Sequence, residues 1–343
     1  MSMRSRLGAL VAAGFALALA GGASAQQQDL TLYTSREEGL IRPLLDTFTQ
    51  RTGIRVRTLF LTTGLAERVA AEGVNSPADV LMAVDVGNLV DFVDKGVTQP
   101  VSSPVLEAAI PANLRDPAGN WFSLSLRARI VYASKDRVTE RAMRYEDLAD
   151  PKWRGKVCIR SGQHPYNTAL VAAMIAKSGE AQTEAWLRGV KANLARRPAG
   201  GDREVARDIL GGICDVGLAN SYYVGLMRSG TGGPDQKRWG DAINLVLPTF
   251  GTGATHVNVS GAAVAKNAPN RANAIRLLEF LVSDEAQEIY AKANFEYPVK
   301  AGVKSDPIIA ELGTLRVDDL RLGDIAAKRR AASNLIDKVG FDN

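Results

Sequence analysis

From Leu30 onward the chain switches repeatedly between two hydrophobic periods, and that alternation restricts the fold more than any other feature. "LTLYTS" alternates as a strand; Leu40, Ile41, Leu44, Leu45 and Phe48 then recur at helical spacing until Gly53 ends the helix. "IRVRTLF" reads as the next strand, Gly64 to Ala71 as the next helix, and "ADVLMAV" as a third strand apolar enough for a buried parallel sheet. This β-α-β-α-β order predicts an α/β lobe with a mostly parallel sheet. A second set follows, with "RARIVYAS", "VCIRS", "CDVGLAN" and "INLVLP" as strands. Between them lie "NTALVAAMIAKSG" as a helix ended by Gly179, Glu180 to Ala195 as another, and "REVARDILGG" as a third. "THVNVSGAAVAK" reads as a strand returning toward the first lobe, "RANAIRLLEFLVSDEAQEIYAKA" as one or two amphipathic helices, and the charged tail 316–338 as a further helix. The expected fold is α/β in two lobes, hinged around a cleft where the chain passes at about 123–132 and 250–262. The expected division is 26–126 plus 251–300 for the N-terminal lobe and 127–250 plus 301–343 for the C-terminal lobe.

The first 25 residues stand outside this scheme. Arg4 and Arg6 precede an apolar run from Leu7 to Ala20, and Ala23-Ser24-Ala25 has the form of a cleavage site. The run is short and lacks a positively charged flank after it, which predicts a cleaved signal peptide rather than a membrane anchor. No cysteine sits at that site to carry a lipid, so the expected location is soluble in the periplasm. Cleavage after Ala25 takes 25 from 343 residues, leaving 318, and with the two arginines gone the net charge falls from +5 to about +3. So small a charge on so long a chain argues against nucleic acid as a partner. The two cysteines, Cys158 and Cys214, are expected to pair in an oxidising compartment. Closing that loop contributes about 4 kcal/mol on the chain-entropy account.

Ligands of open α/β sheets sit beyond the carboxyl ends of strands. Two such ends carry tyrosine: "GQHPYNT" with Tyr166 after "VCIRS", and "ANSYYVG" with Tyr222 and Tyr223 after "CDVGLAN". Cys158 lies eight residues before Tyr166 and Cys214 eight before Tyr222. A bridge between the strand starts lays the strands side by side, and equal offsets carry the phenols to one end of the sheet. On spacing alone Tyr222-Tyr223 reads equally as a core tyrosine beside a surface one. If all three converge, the target is harder than a sugar hydroxyl. A phenol with a pKa of about 10 ionises at neutral pH only beside a strong positive charge. Fe(III) supplies that charge and prefers hard anionic oxygen. Zinc, copper and haem want His and Cys, but the only histidines are His164 and His256. Calcium wants an Asp-rich loop, which is lacking.

At these positions the sequence resembles a known family. "YTSREE", "SLRARIVY", "YEDLADPKWRGKVCIRSG", "PYN", "GGDRE", "CDVGLANSYYVG" and "ATHVNVSGAAVAK" are similar, together and in order from about Leu30 to Val299, to the periplasmic ferric-ion-binding proteins of ABC iron importers. The resemblance implies the bacterial-transferrin, type II (Venus-flytrap) binding-protein fold and Fe(III) as cargo. It implies Tyr166, Tyr222 and Tyr223 as the metal ligands and an inner-membrane ABC permease as partner, with the binding protein acting as a monomer. Many relatives follow "YxSR" with a His-Tyr pair, where this chain has Glu37-Glu38. Either glutamate is a candidate contact, yet Ser35-x-x-Glu38 has capping-box spacing before a helix. The likeness is therefore to the branch in which one lobe provides three tyrosines and small ligands complete the sphere. Three phenolates cancel the metal's charge, and carbonate or a similar small synergistic anion fills the open positions if cations stabilise it. Arg36 and Arg127 are the expected donors, with Arg129 second choice. His164 is expected at the cleft rim.

No GxSxG elbow, Walker loop, HExxH or zinc spacing appears, which argues against an enzyme. The competing reading is a binding protein of the same fold for an organic or oxyanion solute, such as a polyamine or phosphonate. A polyamine asks for acidic and stacked aromatic walls, and an oxyanion for no tyrosine triplet.

Overall fold

The computed structural model describes residues 29–343; the expected signal peptide, residues 1–25, lies outside the described residues. The first lobe is built as the periodicity predicts. Strands β1 (Leu30–Thr34), β2 (Val56–Phe60) and β3 (Val80–Ala83) are parallel in the order β2-β1-β3. The helix Glu38–Thr52 buries Ile41, Leu44, Leu45 and Phe48 on one face and ends at Gly53, whose φ of 71° is the left-handed conformation glycine adopts without strain. β4 (Thr98–Gln99) adds an edge, and β5 (Phe122–Ser134) then runs for 13 residues, all buried.

That strand is shared between the lobes. The second lobe adds β6 (Val157–Cys158), β7 (Val216–Asn220) and β8 (Ile243–Val246), and the chain returns through β9 (Val257–Ala265) and β10 (Tyr297–Pro298). The first half of β5 pairs with β9 as far as Ala128, opposite Val257; from Arg129, opposite Asn220, it pairs with β7 and then β8. The changeover at Ala128–Arg129 falls inside the stretch expected to pass between lobes. Cys158 and Cys214 are bonded, tying the end of β6 to the residues that enter β7. These two strands are parallel neighbours, with Val157 opposite Val216.

Two local expectations come out differently. Ser35 and Glu38 form no capping box: the helix starts at Glu38 with Glu37 at its N-cap and no side-chain cap. The reason is the preceding turn, where the Arg36 N–H donates to Thr34 Oγ1 at 2.9 Å and the chain reaches Glu37 extended. Glu38 instead pairs with Arg42 one turn along on the exposed face, a contact of marginal energy. The charged tail folds as two helices, Leu322–Ala327 and Arg329–Val339. They pack on the second lobe's long helix Pro165–Ala192, yet Arg329 also reaches Asp91 of the first lobe at 2.7 Å. Gly179, at φ 79° and ψ 167°, divides that long helix in two as its position in the sequence predicts.

The lobes also touch through an aromatic ring. Phe295 ends the helix Asp284–Asn294 with φ 55°, the only positive φ outside glycine among the described residues. Its ring lies on Gly225 of the helix Tyr222–Arg228, where an added Cβ would come within 2.0 Å of Phe295 Cγ. Glycine is required here by close approach. Gly225→Ala is therefore expected to overpack this contact and cost about 1–3 kcal/mol, with part of the loss recovered in Gly225→Ala/Phe295→Ala. Thermal unfolding of the metal-free protein checks this. A single variant with the wild-type midpoint would mean that ring and helix separate freely.

Candidate metal centre

Both tyrosine segments begin helices. Pro165 is the first residue of the helix Pro165–Ala192, where its missing N–H costs nothing, and His164 caps it by accepting the Tyr166 N–H on Nδ1 at 3.3 Å. Tyr166 is thus held in the first turn, with the His164 ring edge-on to it at 4.5 Å. Burial and then the Arg160 charge push the His164 pKa down to about 4. Tyr222 and Tyr223 open the short helix that follows β7, their rings 4.1 Å apart.

A buried guanidinium lies beneath both segments. Arg129 Nη1 donates to Asp202 at 2.6 Å and to Asn220 Oδ1 at 3.1 Å, while Nη2 donates to Asn167 Oδ1 at 2.6 Å. Asp202 in turn accepts the Asn220 N–H at 2.7 Å. Asn167 follows Tyr166 and Asn220 precedes Tyr222 by two, so one charge organises the backbone under all three phenols. Arg129, second choice as an anion donor, is taken up by this role, because the crossing of β5 between lobes gives it surroundings different from those of Arg127.

Tyr166, Tyr222 and Tyr223 line one cavity of about 340 Å³ between the lobes, together with Arg36, Arg127, Arg203, Glu37 and Glu296. The Tyr222 phenol is raised well above its ordinary value by burial, then by Tyr166 and Tyr223, against an opposing Arg127. The Tyr223 phenol is raised by burial, then by Tyr166 and Asp202. Guanidinium groups stand over the rings: Arg160 at 5.4 Å and Arg127 at 5.5 Å from the Tyr166 centroid, Arg203 at 5.6 Å from that of Tyr223. Arg127 donates to the carbonyls of Val84 and, at 2.6 Å, Val259. Arg36 pairs with Glu296 at 2.8 Å, both side chains 2% exposed. Burial opposes the Arg36 charge, and Glu296, with Tyr290 and Tyr222 behind it, more than offsets that.

The structure brings together every tyrosine and both arginines singled out in the sequence. Glu37 reaches the cavity and Glu38 does not. Arg203 and Glu296 are additions. Arg203 sits in the first turn of the helix Asp202–Leu210, within the family phrase "GGDRE", so a signal existed. Glu296 carried none, because its partners Arg36 and Ser125 lie far away in sequence. Three oxygens of one hard donor type on a cation-lined wall fit a small, highly charged metal ion. Among the described residues no cluster of His, Cys, Asp and Glu offers a second metal site.

Breaking the buried pair beneath the phenols should be costly. Asp202→Asn leaves Arg129 uncompensated and is expected to lose about 3–5 kcal/mol of stability in denaturant unfolding. Arg129→Met/Asp202→Leu, which removes both charges, should recover part of it. A neutral Asp202→Asn would show that Arg129 finds its counter-charge elsewhere.

Residues 75–314 match the family described as bacterial extracellular solute-binding protein. The chain is 42% identical over 322 residues to iron uptake protein A2 of Synechocystis sp., covering 93% of this chain and 92% of that one. Among solved structures, a Bordetella ferric binding protein is 63% identical with a TM-score of 0.89, covering 92% of this chain and all (100%) of the other. A Trichodesmium protein in complex with iron and citrate ligands is 40% identical with a TM-score of 0.87, again covering 92% of this chain and 100% of that one.

Proposed function

The chain belongs to the bacterial extracellular solute-binding proteins, and from that membership we propose that it captures Fe(III) in the periplasm and delivers it to an ABC permease. The family is one of binding proteins, not enzymes. The observation that carries the cargo is the convergence of Tyr166, Tyr222 and Tyr223 on one arginine-lined cavity. A relative named for iron uptake and a solved structure named for ferric binding support the same reading. In this proposal the protein acts as a monomer whose two lobes, divided as the sequence predicts, meet at the cavity.

Metal-free, the buried phenols keep their protons, because burial raises Tyr222 and Tyr223. The incoming 3+ ion displaces those protons, and the three phenolates neutralise it. Carbonate or another small anion then completes the coordination sphere, held by Arg36 and Arg127, which stay charged throughout. Glu37 lies at the cavity but exposed, and no role as a ligand is assigned to it.

The test is colour. Tyrosinate–Fe(III) absorbs visible light, whereas an organic or oxyanion solute leaves the protein colourless. Each of Tyr166→Phe, Tyr222→Phe and Tyr223→Phe removes one charged oxygen and keeps the ring, so each should weaken binding by at least about tenfold and shift or abolish the band. Full colour and affinity in Tyr223→Phe would refute a three-phenolate site. Protein loaded without bicarbonate or any other anion should show a weaker, displaced band.

The pH dependence has a fixed sign. Binding through three phenolates displaces one proton from each phenol, so apparent affinity should fall by about three decades per unit of falling pH. Protonation of bound carbonate pushes the same way. A visible-band titration of wild type and Glu37→Gln measures the slope. The two are expected to coincide; a folded Glu37→Gln that bleaches at neutral pH would make that glutamate a ligand.

A further inference from the structure

Glu296 immediately precedes β10, next to the interlobe contact of Phe295, and lines the cavity from the first lobe. One carboxylate oxygen takes Arg36 Nη1 at 2.8 Å and the other accepts from the Ser125 hydroxyl. Arg36 Nη1 also donates to Ser260 Oγ at 2.7 Å. The other donors of Arg36, Nε and Nη2, are buried and have no partner among the described residues, although Arg36 lines the cavity. Buried guanidinium donors left open demand an acceptor. Arg36 is therefore neutralised on one side and unsatisfied on the other.

We propose that Glu296 determines which anions the site accepts: it cancels the Arg36 charge at the cavity wall, and so favours small anions of low charge over tricarboxylates. This rests on the anion reading of the same cleft. Three guanidinium groups, Arg36, Arg127 and Arg203, face two carboxylates, Glu37 and Glu296, around the cavity. Glu37 is exposed and screened by solvent, whereas Glu296 is 2% exposed and is not. Arg127 is held by carbonyl oxygens alone, so its charge already reaches the cavity in full. Deeper in the second lobe, Arg129 and Arg160 share Asp202. With iron balanced by three phenolates, the field an anion meets is the arginine surplus less Glu296. Loss of the Glu296 charge raises that surplus by one unit inside a low-dielectric wall, and a trianion gains more from it than a dianion.

Glutarate and tricarballylate differ by one central carboxylate, and both chelate iron weakly. Titrating each into bicarbonate-loaded ferric protein, with exchange read from the visible band, isolates the charge effect. In Glu296→Gln the ratio of tricarballylate to glutarate affinity is expected to rise at least about tenfold over wild type. In Glu296→Asp, which keeps the charge, it should stay within about twofold. Glu296→Gln leaves Arg36 buried and unpaired, so Arg36→Gln/Glu296→Gln, lacking both charges, is measured beside it. Its ratio should remain that of wild type while both anions bind more weakly. An unchanged ratio in Glu296→Gln, or an equal rise in the double variant, overturns the proposal. Failure of the anion reading itself looks different: wild-type colour would develop fully with no anion supplied.

Discussion

The buried Arg129–Asp202 pair is the constraint on which the site depends. It lies at the residue where β5 leaves the first lobe's sheet for the second's. From there its guanidinium reaches Asn167 beside Tyr166 and Asn220 just before Tyr222. Two helix starts that are far apart in sequence are thereby fixed to one point of one strand. Such a charge is expensive to bury and is tolerated because Asp202 neutralises it and both terminal nitrogens find acceptors. The disulfide supports the same geometry by tying the end of β6 to the residues that enter β7.

Placing three phenols on a second-lobe wall has an electrostatic consequence. Burial and then mutual proximity raise Tyr222 and Tyr223, so these phenols carry no charge in the empty site. The arginines over the rings stand ready for negative charge that the empty site does not yet carry. On the proposed reading, an ion of 3+ converts these phenols to phenolates, and only then do the arginine fields meet negative charge. A divalent ion displaces protons from the same oxygens with less electrostatic return. Selection for a hard, highly charged ion thus follows from burial as much as from the identity of the donor atoms.

Much of this was legible in the chain. The period changes located the strands and helices of the first lobe, and Gly53 and Gly179 marked helix breaks where they stand. The equal offsets of the cysteines from Tyr166 and Tyr222 anticipated that the two segments share one end of a sheet. Capping at Ser35 was misread because a four-residue pattern does not reveal that Thr34 holds the Arg36 N–H and delays the helix. Arg129 ranks only just behind Arg127 as an anion donor in the sequence, because nothing local marks a strand that changes sheets between them. Glu296 was invisible for a different reason: a carboxylate buried against Arg36 and Ser125 has no local signature, only partners that the fold brings in from far away.

The two lobes contribute unequally, and the inequality explains why closure matters. All three phenols, with Arg203, belong to the second lobe, so that lobe alone presents the hard oxygen donors. The first lobe presents Arg36, Glu296 and, at the shared strand, Arg127. On the proposed reading an ion docks first on the second lobe, and its remaining positions stay solvated until the first lobe arrives. Phe295 against Gly225 fixes how near that approach comes, since a side chain at Gly225 would hold the surfaces apart. Glu296 follows Phe295 directly, so the contact between the lobes and the carboxylate paired with Arg36 lie on adjacent residues. If Glu296 sets the anion charge as proposed, lobe closure delivers a defined charge together with a defined distance.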